Sequence, residues 1–107
     1  MLRRVLRLAG YDVAMFASGE DFLGSLAVRV PACVILDLNM PGLTGLEVQA
    51  RLQGLAGALP AIFITGSDDP ALDRPVLEAG GVALLRKPFP SDRLLELVQA
   101  GLNGPAA

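Results

Sequence analysis

The chain has 107 residues, 52% of them hydrophobic and 19% charged, with a formal net charge of -2. So apolar a composition argues against disorder, and the length fits one domain with a single core. The acidic balance, the lack of any lysine/arginine block and an aromatic content of only 5% argue against direct nucleic-acid binding.

In chain order, Leu2, Val5, Leu6 and Ala9 recur at helical spacing, and Gly10 closes that helix. Residues 11–17 read as a strand. Ser18-Gly19-Glu20-Asp21 resembles a capping box, and Phe22, Leu23, Leu26 and Ala27 form the next apolar face. Val30-Pro31 breaks this helix. Cys33-Val34-Ile35-Leu36 is a continuous apolar run, as expected of a parallel strand buried on both faces. Met40-Pro41-Gly42 is a turn, and Thr44-Gly45-Leu46-Glu47 is a capping box ahead of Val48, Leu52 and Leu55.

Pro60 precedes the strand Ala61-Ile62-Phe63-Ile64. Asp69-Pro70 starts a helix reaching Ala79-Gly80, which Pro75 should shorten or kink because it has no amide to donate. Residues 82–85 are a fourth strand. Ser91-Asp92 caps a last helix carrying Leu94, Leu97, Val98 and Leu102, and residues 104–107 are a frayed end. Helices alternating with four strands predict an α/β fold, a parallel sheet covered by helices on both faces.

Three of the strands share a design: an apolar run followed at once by a polar group. Asp37 follows the first, Thr65 the second and Arg86-Lys87 the third. In an open parallel sheet these carboxyl ends lie along one edge, where such folds place their sites. At ~4.8 Å between neighbouring strands a carboxylate, a hydroxyl and an ammonium would converge. Lys87 is the sole lysine and directly precedes Pro88. Taken singly, Thr65 reads more readily as a turn cap and Lys87 as a solvated cation; Asp37 is evenly balanced between a functional carboxylate and one satisfying loop amides. Together they suit phosphoryl chemistry: the carboxylate attacks phosphorus, and the cation and hydroxyl receive the new charge. A hard cation such as Mg²⁺ normally completes such a site.

Other chemistries are disfavoured. Histidine is absent, which removes His–metal sites and Ser–His or Cys–His nucleophile pairs. The one cysteine, Cys33, reads as a small buried hydrophobe and permits no disulfide within the chain. No apolar run approaches the ~18 residues of a membrane span. The opening Met1-Leu2-Arg3-Arg4-Val5-Leu6-Arg7 is too regularly interrupted by arginine for a signal peptide. These features point to the cytoplasm.

Val34-Ile35-Leu36-Asp37-Leu38-Asn39-Met40-Pro41-Gly42, Ile62-Phe63-Ile64-Thr65-Gly66 and Leu85-Arg86-Lys87-Pro88-Phe89, in this order and spacing, resemble the CheY-like receiver domains of response regulators. Ala9-Gly10-Tyr11-Asp12-Val13 and Phe16-Ala17-Ser18-Gly19-Glu20 look like the FixJ-type branch. The resemblance implies a flavodoxin-like doubly wound sheet, a single receiver domain over residues 1–107 and no output domain within them. It implies Asp37 as phosphoacceptor, Thr65 as switch hydroxyl and Lys87 as the phosphate-pairing lysine. Mg²⁺ would be held by Asp37 and the backbone carbonyl of Asn39, and Lys87-Pro88 would be a cis peptide. The phosphodonor would be a sensor histidine kinase, and the phosphorylated surface would control a partner or output domain.

Two departures stand out. The family's first strand and the acidic pair that ends it have no counterpart, leaving four of the usual five strands. In the family's strand order, 2-1-3-4-5, the absent strand lies between residues 11–17 and Cys33, so a gap with two unpaired edges is expected and Mg²⁺ binding should be weak. Leu84 stands where the family usually carries the aromatic partner of the switch threonine. These departures leave open a phosphorylation-independent interaction module, possible as a homodimer through exposed strand edges or the face from Ala71 to Ala100. An enzyme is not expected: phosphatases with an aspartate nucleophile usually place an acid two residues further on, and that position is Asn39.

Overall fold

The structure is a computed structural model, and it describes residues 2–38, 43–56, 59–78 and 83–102. Their elements run α1 (Leu2–Leu8), α2 (Gly19–Ser25), β1 (Val34–Asp37), α3 (Gly45–Ala56), β2 (Ala61–Thr65), a 3₁₀ turn (Pro70–Leu72), α4 (Asp73–Glu78), β3 (Ala83–Arg86) and α5 (Ser91–Leu102). The strands form a parallel sheet in the order β1-β2-β3. Parallel neighbours joined through helices bury both faces of the sheet, which is why β2 can be apolar at four consecutive positions and buried at all five.

Register sorts the side chains onto two faces. Leu36 pairs with Phe63, and Phe63 with Leu84; these residues pack with Phe22, Val48, Leu52 and Val76 from α2, α3 and α4. Ile35 pairs with Ile62, and Ile62 with Ala83; this second face packs on Leu6, Leu94, Leu97 and Val98 from α1 and α5.

Capping follows the sequence closely. The Thr44 hydroxyl accepts the Glu47 amide and the Glu47 carboxylate accepts the Thr44 amide, closing the capping box of α3. The Ser18 hydroxyl accepts the Asp21 amide at the start of α2. Gly10, at φ +95°, ends α1: its amide donates to the Arg7 carbonyl, and that of Tyr11 to the Leu6 carbonyl. That pair of bonds is the Schellman arrangement, and its left-handed position favours glycine. Pro75 shortens rather than kinks its helix. It lies in the first turn of α4, where no amide is needed, and a 3₁₀ turn takes up the residues before it. The predicted continuation to residues 79 and 80, and Val82 of the last strand, lie outside the described residues.

One expectation fails. Residues 11–17 form no ladder, so the sheet has three described strands, not four. A strand needs a paired backbone, and among the described residues none pairs with this segment. Instead an apolar groove of about 690 Å³ lies between residues 11–16 and β1, reaching Val13, Met15, Phe22, Val34 and Leu36. Tyr11 and Val13 still pack on the α1/α5 cluster, so the segment runs where a strand would, without forming one.

Candidate functional site at the carboxyl edge of the sheet

Asp37 ends β1, Thr65 ends β2 and Lys87 follows β3 directly, so the three lie on one edge as their positions in sequence required. The ladder continues past the strands: the Leu38 amide donates to the Ile64 carbonyl (2.9 Å) and the Lys87 amide to the Thr65 carbonyl (2.8 Å). These bonds fix how far each polar residue stands beyond the sheet. Lys87 Nζ donates to Asp37 Oδ2 at 3.2 Å across a separation of 50 residues. The side chains are 51% and 39% exposed, so the pair is open to a molecule arriving from solvent.

Thr65 is fully buried. Its hydroxyl accepts the Ser67 amide at 3.1 Å, so in this state it serves the turn that follows β2. The Ser67 hydroxyl accepts the Asp69 amide and Asp69 Oδ1 accepts the Ala71 amide. The result is a run of side-chain caps from Thr65 to the 3₁₀ turn. Leu84 pairs with Phe63 in the sheet and packs, partly buried, against the α2–α4 cluster. The Lys87-Pro88 peptide is cis, as expected.

Gly45 opens α3 against the exit of β1. A Cβ there would lie 2.8 Å from the Asp37 carbonyl oxygen and 3.2 Å from its carbon. Only a residue without a side chain lets α3 start so close to the nucleophile candidate. Arg86 was legible only as a charge beside Lys87. Its guanidinium holds Asp73 Oδ1 (3.1 Å) and the Asp69 carbonyl (2.8 Å), partners that periodicity could not supply. The resemblance to receiver domains implies a Mg²⁺ ion at this edge. Here Asn39 lies outside the described residues, and among those residues no group of three or more potential metal-ligating side chains occurs. The Asp37 carboxylate, whose Oδ2 is engaged by Lys87, would hold the ion, since Mg²⁺ usually keeps several waters and binds through one or two carboxylates.

A parallel sheet with an exposed carboxylate–ammonium pair at its carboxyl edge and a buried threonine ending the intervening strand is the arrangement that the resemblance to receiver domains implies. Comparison with known proteins agrees: the response regulator receiver domain model matches residues 1–99, and the chain belongs to that family. It is 37% identical over 99 residues to Nodulation protein W of Bradyrhizobium diazoefficiens, covering 92% of this chain and 44% of that protein. It is 33% identical over 102 residues to the transcriptional regulatory protein FixJ of the same organism, covering 95% of this chain and 50% of that protein. The chain thus spans about half the length of the curated relatives it matches. Among solved structures, a response regulator receiver protein from Burkholderia phymatum superposes with a TM-score of 0.83 at 44% identity, covering 98% of this chain and 86% of that one. Receiver domains are generally signalling modules rather than enzymes, and no helix among the described residues is long and apolar enough to cross a membrane.

Proposed function

We propose that this chain is the phosphoacceptor of a two-component system, taking a phosphoryl group on Asp37 from the phosphohistidine of a sensor histidine kinase. A carboxylate oxygen of Asp37 attacks phosphorus, the phosphorus–nitrogen bond breaks, and the departing imidazole regains a proton. The product is an acyl phosphate carrying about -1.5 to -2 charges. Lys87 stays beside it as counter-charge, and Thr65 exchanges the Ser67 amide for a phosphoryl oxygen. The turn after Thr65 and α4 then shift, presenting an altered surface to a partner or output domain. The observation that carries the reading is the Lys87–Asp37 contact of 3.2 Å at the exposed carboxyl edge. In the test, the chain is incubated with a small-molecule phosphodonor in Mg²⁺ buffer and weighed intact. One phosphoryl group, absent from Asp37→Asn, is expected. No gain in mass, or a gain that survives the substitution, refutes the reading. The cytoplasm is the compartment this role requires.

A second reading is favoured by the groove beside β1. It leaves β1 as an edge strand, and Met15 and Phe16 next to it are 64% and 40% exposed. Such an edge can pair with a strand of another chain, making an interaction module independent of phosphate. The face from Ala71 to Ala100, where Leu77 is exposed, is the other candidate for a homodimer. Sedimentation across a concentration series tests both, and a monomer throughout counts against them.

A further inference from the structure

We infer that Arg86 is a positioning residue: it fixes the turn after Thr65, and α4 with it, in their resting place against β3. The inference rests on the phosphoacceptor reading. Arg86 is the register partner of Thr65, so the two side chains stand on the same face of the sheet, one strand apart. The caps described above link Thr65 to Ser67, Ser67 to Asp69 and Asp69 to Ala71. Arg86 grips the far end of that run twice, at the Asp69 carbonyl and at the Asp73 carboxylate that opens α4. Nearby Arg74 is committed to Glu78 at 3.0 Å, which leaves the Asp73 carboxylate to Arg86.

The turn carrying the switch hydroxyl is therefore held at both ends, by Thr65 within β2 and by a guanidinium on β3. A hydroxyl that turns toward a phosphoryl group on Asp37 must give up the Ser67 amide, and the strain reaches Asp69 and the Arg86 grip. The grip is also imperfect: among the described residues, Arg86 Nε is buried without a hydrogen-bond partner. A clamp with one donor unsatisfied holds the resting state firmly enough to define it and releases at modest cost.

Amide hydrogen exchange on the whole chain tests this with Arg86→Gln, Arg86→Lys and the milder surface change Asp73→Asn. In Arg86→Gln the amides of residues 67–78 should exchange roughly three- to tenfold faster, the range expected of a half-exposed, charge-assisted pair, while β1, β2 and β3 keep their protection. Asp73→Asn should loosen the same stretch to a smaller degree. Arg86→Lys should recover part of the loss, because an ammonium can pair with Asp73 but cannot span both acceptors. Phosphoryl on Asp37 should loosen those amides in the wild type and add nothing in Arg86→Gln. Unchanged exchange in both Arg86→Gln and Asp73→Asn, or a rise spread evenly over the sheet, overturns the inference. A wild type that takes up no phosphoryl group ends the phosphoacceptor reading alone, since the unphosphorylated comparison still decides whether Arg86 holds the turn.

Discussion

Replacing Lys87 by glutamine separates the chemistry of the edge from its stability. The pair with Asp37 is about half exposed on each side, at 51% and 39%, and ion pairs of that kind contribute roughly 0–1 kcal/mol. For a domain of this size such a loss lowers Tm by no more than ~5 °C. The acyl phosphate is a different matter. It brings about two negative charges to the place where one stood. Near a protein surface two unit charges 4 Å apart interact by about 4 kcal/mol, and removing one preorganised donor from a developing anion costs roughly 100- to 1,000-fold in rate. Half exposure argues for the lower end, so phosphoryl uptake should fall ~100-fold while the melt barely moves. The assay is the time course of mass gain from a small-molecule phosphodonor, run beside a thermal melt of the same preparation. A Lys87→Gln chain that melts well below the wild type yet takes up phosphoryl at the same rate would show that the contact is structural, and the assignment of Lys87 would fall.

Gly45→Ala should destabilise by about 1–3 kcal/mol, because the new Cβ meets the Asp37 backbone at 2.8 Å, and the displaced Asp37 should also take phosphoryl more slowly; urea unfolding and mass gain read the two effects. Leu94→Ala should cost about 2–5 kcal/mol, since Leu94 is fully buried among Leu6, Ile62, Leu85 and Val98, and an unchanged denaturation midpoint would contradict the packing. Bonds from Thr44 hold the Glu47 carboxyl below its ordinary 4.5, so its capping contribution is complete above about pH 4.5 and fades as acid protonates it in the fold. Glu47→Gln should accordingly lose that contribution at neutral pH and match the wild type in acid, so that stability against pH is flatter, which urea midpoints across the series would reveal. Burial pushes the Cys33 thiol up from its ordinary 9.0, so alkylation at neutral pH should be slow in the fold and fast in urea.

The sequence made β1, β2 and β3 legible because each is an apolar run closed by a polar residue, a pattern that follows from burial on both faces and an exposed end. The Ser18 cap of α2 and the capping box of α3 could be read as well, since Thr44 and Glu47 need only each other. Residues 11–16 could not be read correctly from local pattern. Their alternation suits a strand, but a strand is defined by its neighbour, and the neighbouring space is a groove. Asp37 and Lys87 were legible as a pair because both stand at strand ends. Thr65 could be placed on the edge, but its hydroxyl bond to the Ser67 amide is a matter of turn geometry. Arg86 was hidden for the same reason: Asp69 and Asp73 reach it only after the 3₁₀ turn and α4 have folded back over β3.

Parity in the sheet explains why two adjacent cations do different work. Asp37 pairs with Ile64, and Ile64 with Leu85, so these three share a face. Thr65 and Arg86 are one step further along their strands and stand on the opposite face, that of α4. Lys87 is one step beyond Arg86, returned to the Asp37 side by the bond from its amide to the Thr65 carbonyl. The edge is therefore divided between the two faces of the sheet. The charge pair lies on one, and the hydroxyl with its guanidinium clamp lies on the other. A shift of β3 by a single residue would send the arginine to Asp37 and the lysine to α4, since the side-chain period of a strand is 2. On the phosphoacceptor reading, a phosphoryl group on Asp37 would meet a group from each face at once. A change at Asp37 can then reach α4 through the turn between Thr65 and Asp73 without any movement of the sheet itself.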